Sequence, residues 1–184
     1  MRKYLILAAS IFMLGACDNK LKSESNVLNP AQDKNVVKEA TINNANEAPS
    51  FMDVDLKGYQ TPDINLNQFY GEVVFINFWG SWCPPCRIEM PSIQALYDDY
   101  GDKVKFAMIA FEKEHGKHIE FINENGYTFP VYEAISPMDS ELKPQGFPTT
   151  LLVDKKGNIL MKDIGARDWN SQEFREQLNE LLAQ

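Results

Sequence analysis

Cysteine and histidine are both scarce in this 184-residue chain, with three of the first and two of the second. That leaves little from which to build a disulfide-stapled scaffold or a metal centre. His115 and His118 lie in the polar stretch Glu112-Lys113-Glu114-His115-Gly116-Lys117-His118, where solvation is the ordinary expectation; a copper or zinc site would need one of them beside a cysteine pair. The apolar stretch from Tyr4 to Leu14 falls short of the roughly 20 residues that a membrane-spanning helix requires. Basic charge is also scarce: the formal net charge is −8, which argues against nucleic acid as a partner. No internal repeat is visible.

What the N-terminus does have is a leader pattern. Arg2 and Lys3 precede the apolar stretch, which ends in Leu14-Gly15-Ala16-Cys17, the layout of an export signal. Small residues before a cysteine resemble the bacterial lipobox, in which the cysteine is acylated and becomes the first residue of the mature protein. The sequence is thus divided into a lipoprotein signal peptide at 1–16, a tether at 17–49 beginning with lipidated Cys17, and a folded domain at 50–184. An ordinary secretory signal cut nearby, or an uncleaved anchor, are the alternatives. Two or three acyl chains would hold the protein durably at a membrane, placing it in a bacterial cell envelope, facing the periplasm. Loss of Arg2 and Lys3 would take the net charge to −10. The tether is rich in Asn, Lys, Ser, Glu and Ala, and as a flexible coil would span on the order of 30 Å; a weak helix over Asp33–Ala40 is the competing reading. With Cys17 assigned to lipid, Cys83 and Cys86 remain as a pair, and no structural disulfide is left to form.

Those two thiols stand in Trp82-Cys83-Pro84-Pro85-Cys86, directly after the apolar run Val73-Val74-Phe75-Ile76-Asn77-Phe78. The run predicts an interior strand covered on both faces. The residues after the thiols, Ile93, Leu96, Tyr97 and Tyr100, repeat at helical spacing and predict a helix from Pro84 to Tyr100, kinked at Pro91 and ended by Gly101. Pro84 and Pro85 preset helical φ where no N–H partner is needed, and a helix N-terminus favours a negative sulfur at Cys83. Upstream, Phe51–Leu56 reads as a short strand leading to a turn at Gly58 and Pro62, and Ile64–Phe69 as a second short element. Val104–Phe111 reads as another buried strand, and Ile119 with Ile122 as a short helix closed by Asn125-Gly126. Thr149–Val153 and Ile159–Asp163 flank a hairpin connection. A last helix is opened by Asn170 with Glu173 three residues on, and carries Phe174, Leu178, Leu181 and Leu182. Alternation of strands and helices is the parallel crossover pattern of an α/β domain.

The segment Phe75-Ile76-Asn77-Phe78-Trp79-Gly80-Ser81-Trp82-Cys83-Pro84-Pro85-Cys86-Arg87-Ile88-Glu89-Met90-Pro91, followed by Gly146-Phe147-Pro148-Thr149-Thr150 and the Asp-Lys-Lys-Gly-Asn hairpin, resembles the thioredoxin-like family. Within it the chain is similar to the TlpA/ResA-type membrane-anchored thiol-disulfide oxidoreductases, from about Phe51 to the C-terminus. The resemblance implies a thioredoxin-like fold: a central mixed β-sheet flanked by helices on both faces, with a short N-terminal strand extension. It implies that Cys83 is an exposed nucleophile that attacks a target disulfide and that Cys86 is the resolving thiol. It further implies that Pro148 is a cis-proline turning Phe147 toward an extended substrate, and that Trp82, Pro84 and Pro85 form the substrate-facing rim. No cofactor beyond the Cys83–Cys86 couple is implied, and no metal. The partners would be disulfides of exported proteins and a membrane thiol-electron donor, and the protein would be a monomer.

Two departures bear on mechanism. Where cytoplasmic thioredoxins carry a buried aspartate on the central strand, this chain has Asn77, which cannot accept a proton from the resolving thiol. Glu89 lies three residues after Cys86, on the same side of the helix, where ResA-like proteins carry a glutamate close to the thiols; it is the candidate proton manager, with a simply solvated glutamate as the alternative. The direction of electron flow stays open at this level, because it depends on the potential, where about 30 mV is worth about 1.4 kcal/mol and a few hydrogen bonds to sulfur decide it. The resemblance favours reduction, for instance in cytochrome c maturation, over a disulfide-forming oxidase. A peroxidase would place a Thr-x-x-Cys arrangement where Gly80-Ser81-Trp82 precede Cys83. A cysteine-based metal-binding protein, or a tethered holdase that makes no use of its thiols, completes the alternatives. Trp169, Tyr127, Phe129 and Tyr132 read as core or rim packing. The run Glu133–Gln145 leads toward Pro148 and is a candidate for shaping specificity.

Overall fold

The computed structural model describes residues 47–184. The signal peptide, Cys17 and nearly all of the tether lie outside the described residues. Seven strands form one mixed sheet: β1 (Asp55–Tyr59), β2 (Ile64–Asn65), β3 (Val73–Trp79), β4 (Val104–Ala110), β5 (Val131–Ala134), β6 (Thr149–Val153) and β7 (Ile159–Ile164), in the order β2-β1-β5-β4-β3-β6-β7. Three α-helices connect or follow them: α1 (Pro84–Tyr100), α2 (Lys117–Asn125) and α3 (Gln172–Leu182). β3, β4 and β5 run parallel, joined by the crossovers through α1 and α2, while β6 and β1 pair antiparallel on either side. This is a thioredoxin-like α/β fold.

Every residue of β3 is buried, as its apolar run requires of an interior strand. Its pleat sorts the core into two layers. Val73, Phe75 and Trp79 face a cluster built with Cys86, Met90, Ile93 and Leu96 of α1, Phe121 and Ile122 of α2, and Phe174 and Leu178 of α3. Val74, Ile76 and Phe78 face a second cluster with Phe51, Met52, Val54, Leu66 and Leu142. The α-helices therefore cover one face, and the other is closed by two 3₁₀ turns, Ser50–Met52 and Leu66–Phe69, together with the loop that carries Leu142. Asn77 shares the α-helical face with Phe75 and Trp79, a buried amide in an apolar row.

Several local expectations shift. The segment from Phe51 begins as a 3₁₀ turn, and the strand starts only at Asp55 and runs through Gly58. A Cβ at Gly58 would press into the Thr61 carbonyl and reach the Pro62 carbonyl oxygen at 2.6 Å, so the strand can cross there only without a side chain. β5 was not anticipated; only four residues long, it pairs with β4 at two positions, Met108↔Val131 and Ile109↔Tyr132. α3 is capped by Ser171, whose Oγ accepts from Phe174 N at 3.4 Å; Asn170 instead accepts from Arg175 Nε at 2.7 Å. His118 is not solvated. It lies one turn before Ile122 on the buried face of α2, 2% exposed, and edge-on to Tyr59. Burial pushes its pKa down, opposed by Glu133; its Nδ1 is 3.5 Å from Glu133 Oε1 but has no hydrogen-bond partner among the described residues.

Candidate active site

At the C-terminal end of β3 the chain must leave the sheet and enter α1, and the thiols occupy that junction. Cys83 is the N-cap of α1, with Pro84 and Pro85 in the first two helical positions. This lets Cys86 fall one turn in, with Cα atoms 5.3 Å apart and the two sulfurs joined as a disulfide. Cys83 Sγ accepts from the backbone N–H of Cys86 at 3.3 Å, one of the orphan donors of the helix N-terminus. The same donor would stabilise a thiolate there after reduction. In this oxidised state Cys83 is 2% exposed and Cys86 fully buried, so the expectation of an open Cys83 is corrected: its sulfur is turned inward onto Cys86 and counted within the core.

The rim beside the sulfurs is aromatic. Trp82 is 43% exposed, yet it is fixed: its Nε1 donates to the Phe111 carbonyl at 2.7 Å, its ring meets Phe147 edge-on at 5.5 Å, and the Lys113 ammonium sits 4.9 Å above it. Gly80 makes this fold-back possible, since a Cβ there would come within 2.5 Å of Trp82 Nε1. The next residue, Ser81, donates from both N and Oγ to the Glu112 carboxylate at 2.6 and 3.0 Å. Three successive residues after β4 thus hold the two residues before Cys83. The Phe147–Pro148 peptide is cis, and the Pro148 carbonyl accepts from Gly165 N at 2.9 Å. Phe147 packs against both core clusters. A groove lined by Phe111, Glu112, Glu133, Ser136, Pro137 and Met138 runs from this rim into the Glu133–Gln145 segment.

Behind the thiols lies a buried carboxyl. Glu89, one turn beyond Cys86 on α1, is 2% exposed. Its Oε1 accepts from Asn77 Nδ2 at 2.8 Å, and its Oε2 from Trp169 Nε1 at 2.8 Å and from Arg167 N at 3.3 Å. Burial disfavours the charged form and raises its pKa to about 7, against the lowering pull of those three N–H donors; Asp163 adds to the rise. Asn77 Nδ2 also donates to Thr150 Oγ1 at 2.9 Å, a consequence of register, because Asn77 pairs directly with Thr150 across β3 and β6. A carboxyl with a midpoint near neutrality can hold or release a proton under physiological conditions.

Residues 45–167 match the AhpC/TSA family. This chain belongs to that family. Over 149 residues the AhpC/TSA chain is 34% identical to the thiol-disulfide oxidoreductase ResA of Bacillus thuringiensis subsp. konkukian (strain 97-27), covering 79% of this chain and 80% of that protein. It is 30% identical over 145 residues to the thioredoxin-like protein YneN of Bacillus subtilis (strain 168), covering 77% and 82%. The crystal structure of StoA from Bacillus subtilis superposes with a TM-score of 0.56 at 30% identity, covering 74% of this chain and 100% of the other.

In this AhpC/TSA member Cys83, Pro84, Pro85 and Cys86 form the start of α1, Trp82 beside them meets the ring of Phe147 in the cis peptide to Pro148, and Glu89 lies in the core rather than in solvent. Trp169, expected only to pack, both packs and donates to Glu89. Arg167 and Glu112 carried no signal in the sequence, and Thr150 stood in the quoted motif with no role: each reaches the site through a contact spanning 31 to 78 positions or through strand register. A buried Asn on an otherwise apolar strand was the one available clue that a polar partner waited on the facing helix. Among the described residues no three His, Cys, Asp or Glu side chains gather to hold a metal, and no helix is long and apolar enough to cross a membrane.

Proposed function

We propose that this ResA-like thiol-disulfide oxidoreductase acts as a membrane-tethered reductant of disulfides in exported proteins, cytochrome c maturation being one such task. The observation that carries the reading is the Cys83–Cys86 couple at the start of α1, with the cis-Pro148 loop at its rim and a buried neutral-range carboxyl one turn behind it. In the cycle, the reduced Cys83 thiolate attacks a target disulfide and displaces one target sulfur as a thiolate. Cys86, losing its proton, then attacks Cys83 and releases the second target sulfur, leaving Cys83–Cys86 oxidised. A membrane thiol donor returns two electrons. Glu89 takes or supplies the Cys86 proton. Trp82, Pro84, Pro85 and Phe147 with Pro148 seat the substrate chain in extended form. No bound cofactor is required, and the working unit is a monomer. Cys17 carries the lipid anchor, holding the domain to the cell envelope on its periplasmic face.

Cys86→Ser tests the exchange: with the resolving thiol gone, Cys83 should remain covalently joined to its partners, which mass spectrometry identifies. No disulfide-linked protein, under conditions where the wild type turns over a disulfide substrate, would refute it. Direction is tested by the redox potential; a value as oxidising as about −120 mV would mark a disulfide-forming enzyme instead. Glu89→Gln should slow exchange about 100-fold at neutral pH and move the pH midpoint of cysteine alkylation. An unchanged profile would remove Glu89 from the proton path.

A further inference from the structure

Asn77 Oδ1 is buried and has no hydrogen-bond partner among the described residues, although the opposite edge of the same amide makes two bonds. A buried orphan acceptor costs on the order of 1–3 kcal/mol and calls for an explanation. The two oxygens of Glu89 are also unequal. Oε2 accepts from Trp169 Nε1 and Arg167 N, groups that can only donate, so a proton on Glu89 must reside on Oε1. Oε1 is the oxygen that faces Asn77, at 2.8 Å. An Nδ2–H donor suits an ionised Oε1, whereas the hydrogen on a protonated Oε1 would face a group that offers it no lone pair.

We propose that the Asn77 carboxamide is a two-position partner for Glu89: it presents Nδ2 to the carboxylate and turns over to present Oδ1 to the acid. This rests on the proton exchange proposed for Glu89. When a proton arrives on Oε1, a half-turn of the amide puts Oδ1 where Nδ2 stood. Oδ1 then accepts from Glu89 Oε1–H and from the Thr150 hydroxyl, which changes from acceptor to donor by rotating its own hydrogen. Loss of the proton reverses both. Either charge state of Glu89 thus keeps a hydrogen bond on the β3 side, with the two Nδ2 hydrogens taking the unpartnered place of Oδ1 in the turned state, and Trp169 and Arg167 never have to move. Asn77 is a positioning residue, acting through Glu89 rather than touching substrate.

The charged and titratable surroundings do not supply a competing switch. On α1 the thiols are joined and do not titrate. From β7, Asp163 raises the Glu89 midpoint. Arg167 directs its guanidinium over the Trp169 ring at 5.4 Å and pairs with Asp163 and, from α3, Glu173. β3 and β6 present Asn77 and Thr150.

The test is side-chain amide NMR on the full-length protein in its disulfide form, with labelled asparagine, followed together with the Glu89 carboxyl signal between about pH 5 and pH 9. The cross-peaks from the Asn77 NH₂ protons to the Thr150 side chain should be lost as pH falls through the Glu89 midpoint, and the amide shifts should follow that midpoint. In Glu89→Gln the substituted amide keeps its oxygen toward Trp169 and Arg167 and its NH₂ toward Asn77, so the turned orientation should persist at every pH. Asn77 cross-peaks that are unaltered through the Glu89 titration overturn the inference while leaving the proton role of Glu89 standing. A Glu89 carboxyl that keeps one charge state over the range overturns it as well. The alkylation profile of Glu89→Gln reads the parent proposal separately.

Discussion

Glu89 carries the clearest consequence at the scale of single residues. Its folded pKa of about 7 lies above that of an unfolded glutamate, so the folded state binds its proton more tightly than the unfolded chain. The linked stability is fully present below about pH 4.3 and is lost as pH rises toward 7. The difference corresponds to on the order of 3 kcal/mol. Denaturant unfolding of the wild type at about pH 5 and pH 8 should show a decline that Glu89→Gln largely removes; equal slopes for both proteins would contradict the buried placement. His118 works in the opposite sense. Its folded pKa is lowered, so it costs stability only as pH falls below about 6.5, where the unfolded chain takes up a proton more readily. Replacing His118 by Gln should flatten the acid side alone. Trp82 illustrates a third kind of effect: partly exposed but held by Phe111, Phe147 and Lys113, it should contribute to protein-substrate turnover more than to folding. Trp82→Ala is expected to lower turnover of a protein disulfide about tenfold while changing unfolding free energy by under about 1.5 kcal/mol.

Among the elements, α1 was the most legible. Its start, its end at Gly101 and its apolar face all follow from Pro84–Pro85, from Ile93, Leu96 and Tyr100, and from the residues that bound it. The hairpin of β6 and β7 was equally legible, since Asp154 and Gly157 mark the turn: Asp154 Oδ1 accepts from Lys156 N and Asn158 N, and Gly157 takes φ +79°. β5 was not, because four residues with aromatic neighbours give no period to detect, and its existence depends on β1 and β4 being in place to receive it. The cap of α3 shows a similar limit: Asn170 and Ser171 are both good N-cap residues, and only the backbone decides between them. Ser171→Ala should therefore cost about 1 kcal/mol and Asn170→Ala less through this route. Gly58→Ala should cost more than either, above about 2 kcal/mol, because the added methyl meets backbone oxygens that cannot move independently. Thermal unfolding of the three variants ranks these effects.

For the molecule as a whole, the two-layer core makes the first described residues integral to the sheet's second face. Phe51, Met52 and Val54 are almost fully buried on the face away from the α-helices, and Pro49 lies against the turn at Gly157. Removing residues through Val54 strips three apolar side chains from that face, a loss on the order of 5 kcal/mol, and should leave little cooperative unfolding to observe. The same division explains why the site was only half visible beforehand. The thiols, their prolines and Glu89 lie within one local stretch, whereas Thr150, Arg167 and Trp169 arrive by long-range pairing.

The near-complete concealment of the Cys83–Cys86 bond has a kinetic meaning. Sulfur-for-sulfur displacement requires approach along the axis of the bond under attack, and with Cys83 only 2% exposed and Cys86 buried little of that bond is open to an incoming thiol. Stray thiols that collide at random would mostly miss, so the oxidised couple should be recharged chiefly by a donor whose contour brings its sulfur to Cys83 or Cys86. Bulky monothiols should therefore reduce it far more slowly than they reduce a disulfide in a short unstructured peptide.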